Sequence, residues 1–314
     1  MNNLGFVFPG QGSQKQGMLA EMATEYPLIK TTFAEASEVL GCDLWKITQD
    51  NPEGQLDQTA ITQPALLAAS IALWRLWRDQ DNPLPALLAG HSLGEYSALV
   101  AAGVLDFTAA IALVNKRGIY MQEAVPEGTG AMAAILGLDN DLLAKVCQEA
   151  AADGVVAAAN FNAPGQTVIA GSSAAVAKAI IACKEAGAKR ALPLNVSVPS
   201  HCALMRPAAE RLAEDMNDIT FRSPDIPVIQ NINGQASQIP DEIKANLLKQ
   251  LYQPVQWVDS MLHMRDKGIL QIIECGPGRV LCGLIKRIDP GFESLGIDDS
   301  QALQQAVSLI RTQA

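Results

Sequence analysis

The stretch PALLAGHSLGEYSALVAAG, residues 85–103, places Ser92 between Gly90 and Gly94, after the apolar run Pro85 to Ala89 and before a helix-forming segment that Gly103 stops. Few chain geometries accept that order. A strand that turns into a helix within a residue or two has no room for side chains two positions either side of its central serine, and glycine stands at both positions. Such a turn lifts the serine hydroxyl to a helix amino terminus, where the dipole favours developing negative charge. A lone G-x-S-x-G arises readily by chance; the strand before it and the helix after it make it a candidate nucleophile elbow.

The rest of the chain supplies a matching frame. Leu4 to Phe8, Pro85 to Ala89, Asp225 to Asn231, Ile269 to Cys275 and Ser294 to Ile297 read as strands, several apolar on both faces, as a sheet covered on both sides requires. That is α/β organisation. From about Gly130 to Val198 alanine becomes dense and the order is strand (Ala131 to Leu136), helix (Asn140 to Ala152), strand (Val155 to Asn160), strand (Thr167 to Ala170), helix (Ser173 to Ala186), strand (Arg190 to Val196). This is the order of a ferredoxin-like βαββαβ unit. The expected division is a large α/β domain, residues 1–128 and 199–314, with a small domain, residues 129–198, inserted into it.

Composition narrows the function classes. With 314 residues, 49% hydrophobic and 18% charged, the chain can bury a sizeable core. MNNLGFVFPGQGSQ has no basic region and its apolar run ends at Pro9, so it does not read as a signal peptide. No uncharged apolar run approaches the roughly 20 residues of a membrane span, and no membrane association is expected. The cysteines at 42, 147, 183, 202, 275 and 282 form no CxxC pair and no cluster with histidine, so no metal site or disulfide framework is expected, and a reducing cytoplasm fits. A net charge of −10 argues against nucleic acid as a partner.

A serine nucleophile needs a base, and the chain has three histidines. His91 adjoins Ser92, so the two side chains point apart and it is expected to pack against the elbow. His263, in VDSMLHMRDKG, suits a solvated or capping place near a helix end. His201 remains. In NVSVPSHCALMRPAAERLAED, Pro199 and Ser200 make a helix start with His201 at the first helical position, where the dipole would keep the imidazole neutral.

Beyond the elbow, GFVFPGQGSQ, TQPALLA, the arginine of NKRGIYMQ, NAPGQTVIAG, VSVPSHCALM, QLYQPVQW and ECGPGRVLCGLIKRI lie in order along the chain. Together these stretches resemble the malonyl-CoA:acyl-carrier-protein transacylases, the stand-alone acyltransferases of fatty-acid synthesis, over essentially the whole length. The resemblance implies a hydrolase-like α/β domain with a ferredoxin-like insertion, Ser92 as the acylated nucleophile and His201 as its base. It also implies that the backbone carbonyl of Gln250, and no carboxylate, orients His201; the Gln250 side chain is given no task. Of two oxyanion donors, the N–H of Leu93 follows from the elbow itself, and the resemblance selects the N–H of Gln11 as the other.

Arg117 bears on the substrate. In the helix expected from Phe107 to Gln122 it borders the stripe Ile111, Val114, Gly118 and Met121, and a partly buried guanidinium fork suits the free carboxylate of a malonyl group. Leu93 resembles the malonyl-type residue of the wider family. The implied partners are malonyl-CoA and acyl carrier protein, with no cofactor, and Lys189, Arg190, Arg279, Lys286 and Arg287 are candidates for meeting their negative charge. A serine hydrolase would share the elbow but normally orders its triad serine, acid, histidine with the histidine late in the chain. A non-catalytic scaffold is the third class left open.

Overall fold

The computed structural model describes residues 3–196 and 198–313; Ser197, within the VSVPSH stretch, lies outside the described residues. Two sheets organise the chain. Strands β1 (Leu4–Phe8), β2 (Leu87–Gly90), β7 (Val228–Ile229), β8 (Ala236–Ser237), β9 (Gln271–Glu274) and β10 (Glu293–Gly296) form one, in the order β10-β9-β1-β2-β7-β8. Every pairing in it is parallel except that of β7 with β8.

All residues of β1 and β2 are buried, and the two-residue alternation of a strand sorts them. Phe6, Phe8 and Leu88 face the helix Thr59–Asp79, where Phe6 makes edge contacts with Trp74 and Trp77 at centroid distances of 5.4 and 5.1 Å. Val7, Leu87 and Ala89 face the opposite side, packing with Met261 and Met264 of the helix Trp257–Asp266 and Ile285 of the helix Val280–Ile288. A sheet covered on both faces leaves only its strand ends for a ligand, at the carboxyl edge.

The second sheet is antiparallel: β3 (Gly130–Leu136), β4 (Val156–Ala163), β5 (Gln166–Ser172) and β6 (Arg190–Pro193), in the order β4-β5-β3-β6. Helices Asn140–Ala150 and Ser173–Glu185 cover one face, burying Ala133, Ile135, Leu143, Val146, Ile169 and Val176. The other face carries Met132, Ala159, Val168 and Ala170 toward Cys202. Element order and strand order are those of a ferredoxin-like unit.

Several strands differ from the sequence expectation: Pro85 to Ala89 is ordered as Leu87–Gly90 and Ile269 to Cys275 as Gln271–Glu274, and in two others proline is the reason for the shortening. The expected strand Asp225 to Asn231 is ordered only at Val228–Ile229: Pro227 has no N–H to donate, and Gln230 enters a turn closed by Gly234 N–H to Gln230 O at 3.0 Å. The expected strand Arg190 to Val196 ends at Pro193, after which one further bond, Leu194 N–H to Met132 O at 2.9 Å, ties the chain to β3. Conversely β4 runs on to Ala163, with irregular register between Ala158 and Asn160 and between Phe161 and Ala163.

Register brings the elbow and the first loop together, because Phe8 pairs with Gly90. A Cβ on Gly94 would stand 2.0 Å from the Phe8 carbonyl oxygen, and one on Gly10 would stand 2.4 Å from that of His91. Backbone passes where a side chain would be. Gly94→Ala is therefore expected to cost about 3 kcal/mol or more by overpacking, since its neighbour is rigid backbone. Gly283→Ala, in the helix Val280–Ile288 with nothing within 4 Å of the added carbon, should stabilise by about 0.5–1 kcal/mol. Urea unfolding of both variants beside the parent chain checks the contrast.

Candidate active site

Ser92 joins β2 to the helix Leu93–Ala101 with φ 53° and ψ −110°, a conformation that side chains adopt only when their surroundings impose it. Three buried side chains impose it here. Asn231 accepts the Ser92 N–H through Oδ1 at 2.7 Å and donates from Nδ2 to the Gly90 carbonyl at 2.6 Å, so one amide spans the turn. Gln250 donates from Nε2 to the Ser92 carbonyl at 2.9 Å and to Glu95 Oε2 at 2.7 Å. The same Glu95 oxygen accepts the Asn231 N–H at 3.2 Å.

Above this support, Ser92 Oγ lies 2.8 Å from His201 Nε2, and His201 Nδ1 lies 2.6 Å from the Gln250 carbonyl oxygen. A carbonyl only accepts. Nδ1 must therefore carry the proton, which leaves Nε2 of the neutral ring free to accept the serine O–H. The structure corrects the expected source of that neutrality. His201 is not the first residue of a helix: it sits at φ 63° in a turn, with its N–H on the Leu251 carbonyl at 2.9 Å, ahead of the short 3₁₀ turn Ala203–Met205 and the helix Arg206–Met216. Burial is the main cause and the nearby Arg117 charge the next, and against the opposing Gln250 carbonyl they pull its pKa down to about 3.

Arg117 is more deeply placed than a residue bordering an apolar stripe. It is 1% exposed within the helix Phe107–Ala124, with Nη1 donating to Gln63 Oε1 at 2.7 Å and Nη2 donating to Gln250 Oε1 at 3.0 Å. Nη2 also reaches Ser92 Oγ at 3.5 Å. Both strong partners are neutral amide oxygens. Burial lowers its pKa, opposed by Tyr96 and Glu95, yet a guanidinium keeps its proton in proteins. A full positive charge thus stands beside the hydroxyl with no carboxylate bonded to it.

Gln11 follows β1 in the loop that touches the elbow, and its side chain donates to Thr59 Oγ1 at 3.1 Å. Leu93 opens the helix Leu93–Ala101, so its N–H belongs to the first turn, whose amides have no intrahelical acceptor. A cleft of about 540 Å³ opens over these groups, with Gln11, His91, Ser92 and His201 on one wall and Met132 and Val168 of the small sheet on the other. His91 packs as expected: Nε2 meets Asn162 Oδ1 at 2.7 Å and the ring lies edge-on to Trp257 at 5.4 Å. His263 lies beside Ala86 and Leu87, at the other end of β2 from Ser92.

Of the basic candidates, Arg279 is occupied by Asp298 and Asp299 at 3.4 and 2.7 Å. Lys189, Arg190, Lys286 and Arg287 are exposed. Leu136 pairs with both Gln166 and Arg190, and Arg287 donates to Gln166, so Arg190 and Arg287 lie at the same end of the small sheet's strands. Among the described residues no group of three or more His, Cys, Asp or Glu is placed to hold a metal ion, and no helix is long and apolar enough to cross a membrane.

Sequence reasoning missed Glu95, Asn231, Gln63 and the side chain of Gln250. Glu95 had a visible signal, being the one charged residue of LGEYSALVA, otherwise apolar but for Tyr96 and Ser97. Asn231 and Gln250 had none, because they meet the elbow across 139 and 158 positions of chain.

A strained serine on a strand–helix turn, bonded to a carbonyl-held histidine and flanked by an unspent guanidinium, is the equipment of serine-based acyl transfer. The chain belongs to the acyl transferase family, whose pattern, described as the acyl transferase domain, matches residues 5–300. Within it, the chain is 55% identical over 309 residues to the malonyl CoA-acyl carrier protein transacylase of Escherichia coli strain K12, covering 98% of this chain and 100% of that one. An acyl carrier protein S-malonyltransferase structure from Vibrio cholerae is similar with a TM-score of 0.95 and 56% identity, over 96% of this chain and 99% of that one. A structure of a type II polyketide acyl-carrier protein in complex with its malonyl-transacylase is similar with a TM-score of 0.96 and 53% identity, over 98% and 99% of the two chains.

The lowered pKa of His201 has a consequence for stability. Between an unfolded value near 6.5 and the folded value of about 3, the unfolded chain binds the proton that the folded chain refuses, so stability falls as pH falls through that window. Nothing is lost above it. At pH 5 this amounts to about 2 kcal/mol relative to pH 8, and His201→Asn should remove that part of the pH dependence. His91, also lowered by burial, contributes in the same direction and stays in both proteins. Chemical denaturation of the two at pH 8 and pH 5 checks the difference.

Proposed function

We propose that the chain transfers the malonyl group of malonyl-CoA to the phosphopantetheine thiol of acyl carrier protein through a malonyl-Ser92 ester, supplying malonyl carrier protein for fatty-acid synthesis. The observation that carries this reading is Arg117, a buried guanidinium 3.5 Å from Ser92 Oγ whose strong partners are both neutral. Its fork suits the free carboxylate of a malonyl group. The relatives named as malonyl transacylases support the same donor and acceptor.

In this reading His201 Nε2 takes the Ser92 proton as Oγ attacks the thioester carbonyl, and the oxyanion is received by the N–H groups of Leu93 and Gln11. Collapse expels the CoA thiolate, to which His201 returns the proton. The carrier thiol then repeats the steps in reverse on the ester, and Ser92 leaves as the alcohol. The Gln250 carbonyl keeps the imidazole in its tautomer; it stabilises an imidazolium less than a carboxylate would, which suits a thiolate leaving group. Arg117 adds a gate, because a seated malonyl carboxylate cancels the charge that weakens His201 as a base.

No metal or bound cofactor enters this scheme. The division into domains 1–128 with 199–314 and 129–198 is part of the reading, with the cleft between the two sheets receiving the pantetheine arm, and a reducing cytoplasm suits the free thiols at 42, 147, 183, 202, 275 and 282. The acidic carrier is met at the end of the small sheet that carries Arg190 and Arg287.

Replacing Arg117 by alanine leaves a malonyl carboxylate buried without its partner, so kcat/KM for malonyl-CoA should fall steeply while that for acetyl-CoA holds or rises, reducing the preference by about 10²-fold or more. Lysine should recover part. Steady-state rates with both donors at one carrier concentration test this, and equal losses for the two would refute the carboxylate clamp. Arg190→Glu with Arg287→Glu should raise KM for carrier protein about tenfold while leaving the rate of acylation by malonyl-CoA unchanged; rapid-quench acylation and carrier titration separate the two.

A further inference from the structure

Among the buried titratable groups that the proposed transfer reaction leaves unused, one touches the residues that hold Ser92. Glu95 is 1% exposed and sits directly beneath Ser92. Its Oε2 accepts two hydrogen bonds, from Gln250 Nε2 at 2.7 Å and from the Asn231 N–H at 3.2 Å, while its Oε1 is buried without a partner. The far end of the same Gln250 amide accepts from Arg117 Nη2 at 3.0 Å. One neutral amide therefore stands between a carboxyl group and a guanidinium, its N–H₂ toward the first and its carbonyl toward the second. An amide so placed is polarised in the same sense from both ends and transmits charge between them.

We propose that Glu95 is the buried counter-charge of Arg117, coupled to it through the Gln250 side chain, and that seating a malonyl carboxylate on Arg117 draws one proton from solvent onto Glu95 Oε1. Before substrate arrives, Arg117 favours the ionised form of Glu95. Once the substrate carboxylate occupies the guanidinium, two anions share one cation, and the buried one is the cheaper to neutralise. The step is a protonation only: the proton comes from water, and it returns there when the malonyl group leaves on the carrier. Burial already pushes the Glu95 pKa up to about 7, against the lowering effects of Gln250, the Asn231 N–H and Arg117, so the carboxyl stands near its midpoint at neutral pH. The groups that face it are Arg117 from the helix Phe107–Ala124, Tyr96 on its own helix, and Asn231 and Gln250, which do not titrate. Burial raises Tyr96 to about 12 and lowers His201 to about 3, so neither changes charge between pH 6 and 8.5.

The inference makes Glu95 a positioning residue for malonyl selectivity, and it rests on the malonyl-transfer reading above. Ionised Glu95 offsets part of the Arg117 field, so the malonyl-to-acetyl preference should fall about fivefold to tenfold from pH 6 to pH 8.5 in the parent protein. Glu95→Gln keeps the acceptor for Gln250 and Asn231 and removes the charge; its preference should be flat over that range, near the low-pH value of the parent. A merely structural role would lower all rates and leave the slope in place. Independently of any variant, the parent protein mixed with malonyl-CoA at pH 7 in a weakly buffered indicator solution should take up as much as about half a proton more per adduct than with acetyl-CoA, adducts being counted by mass. Equal proton counts for the two donors, or the same slope in Glu95→Gln, would overturn the coupling. Absence of any malonyl adduct on the parent protein would instead remove the transfer reading on which the coupling stands.

Discussion

Gln250 is the residue on which the site depends. Its backbone carbonyl fixes the His201 ring, while its side-chain amide holds the Ser92 carbonyl, Glu95 and Arg117. It ends the helix Pro240–Gln250, which is why one residue can present both main chain and side chain: the last carbonyls of a helix have no intrahelical donors and are open to other partners. Ser92, His201 and Arg117 are thereby set at fixed distances by a single helix end. Buried polar groups so fully engaged are costly to loosen, which keeps the geometry from drifting.

The strain at Ser92 has its counterpart in the same network. A non-glycine residue at φ 53° costs on the order of 1–3 kcal/mol, and Asn231 and Gln250 bind the N–H and the carbonyl on either side of it. Close backbone contact does the rest, with the first loop pressed on the elbow at Gly94 and Gly10. The strained turn and the packed sheet are one construction, and the hydroxyl is exposed to the cleft because everything beneath it is filled.

Much of this was legible in the chain. Alternating apolar runs marked the strands, GHSLG marked the turn, and the βαββαβ order of the alanine-rich segment marked the second sheet, because each of these signals is local. Strand ends were less legible than strand centres: Pro193 and Pro227 cut two expected strands short, and in β4 and β9 the ladder pairing set the ends. The quantities that sequence could not supply are long-range. His201 stands out among three histidines in the sequence, yet its neutrality comes from burial and Arg117 and not from a helix terminus. Glu95 was in plain view but its role depends on Gln250, 155 positions away. Arg117 looked like a residue at the margin of the core; only packing shows it inside, held by Gln63 and Gln250.

The central claim is that one serine, strained and backed by this network, carries the acyl group. Brief mixing with malonyl-CoA, acid quenching, proteolysis and peptide mass mapping test it most directly. The account predicts a single malonyl increment on the peptide containing Ser92, lost in Ser92→Ala and discharged when carrier protein is added before the quench. A malonyl group on any other residue, or transfer to carrier protein by Ser92→Ala, would contradict it.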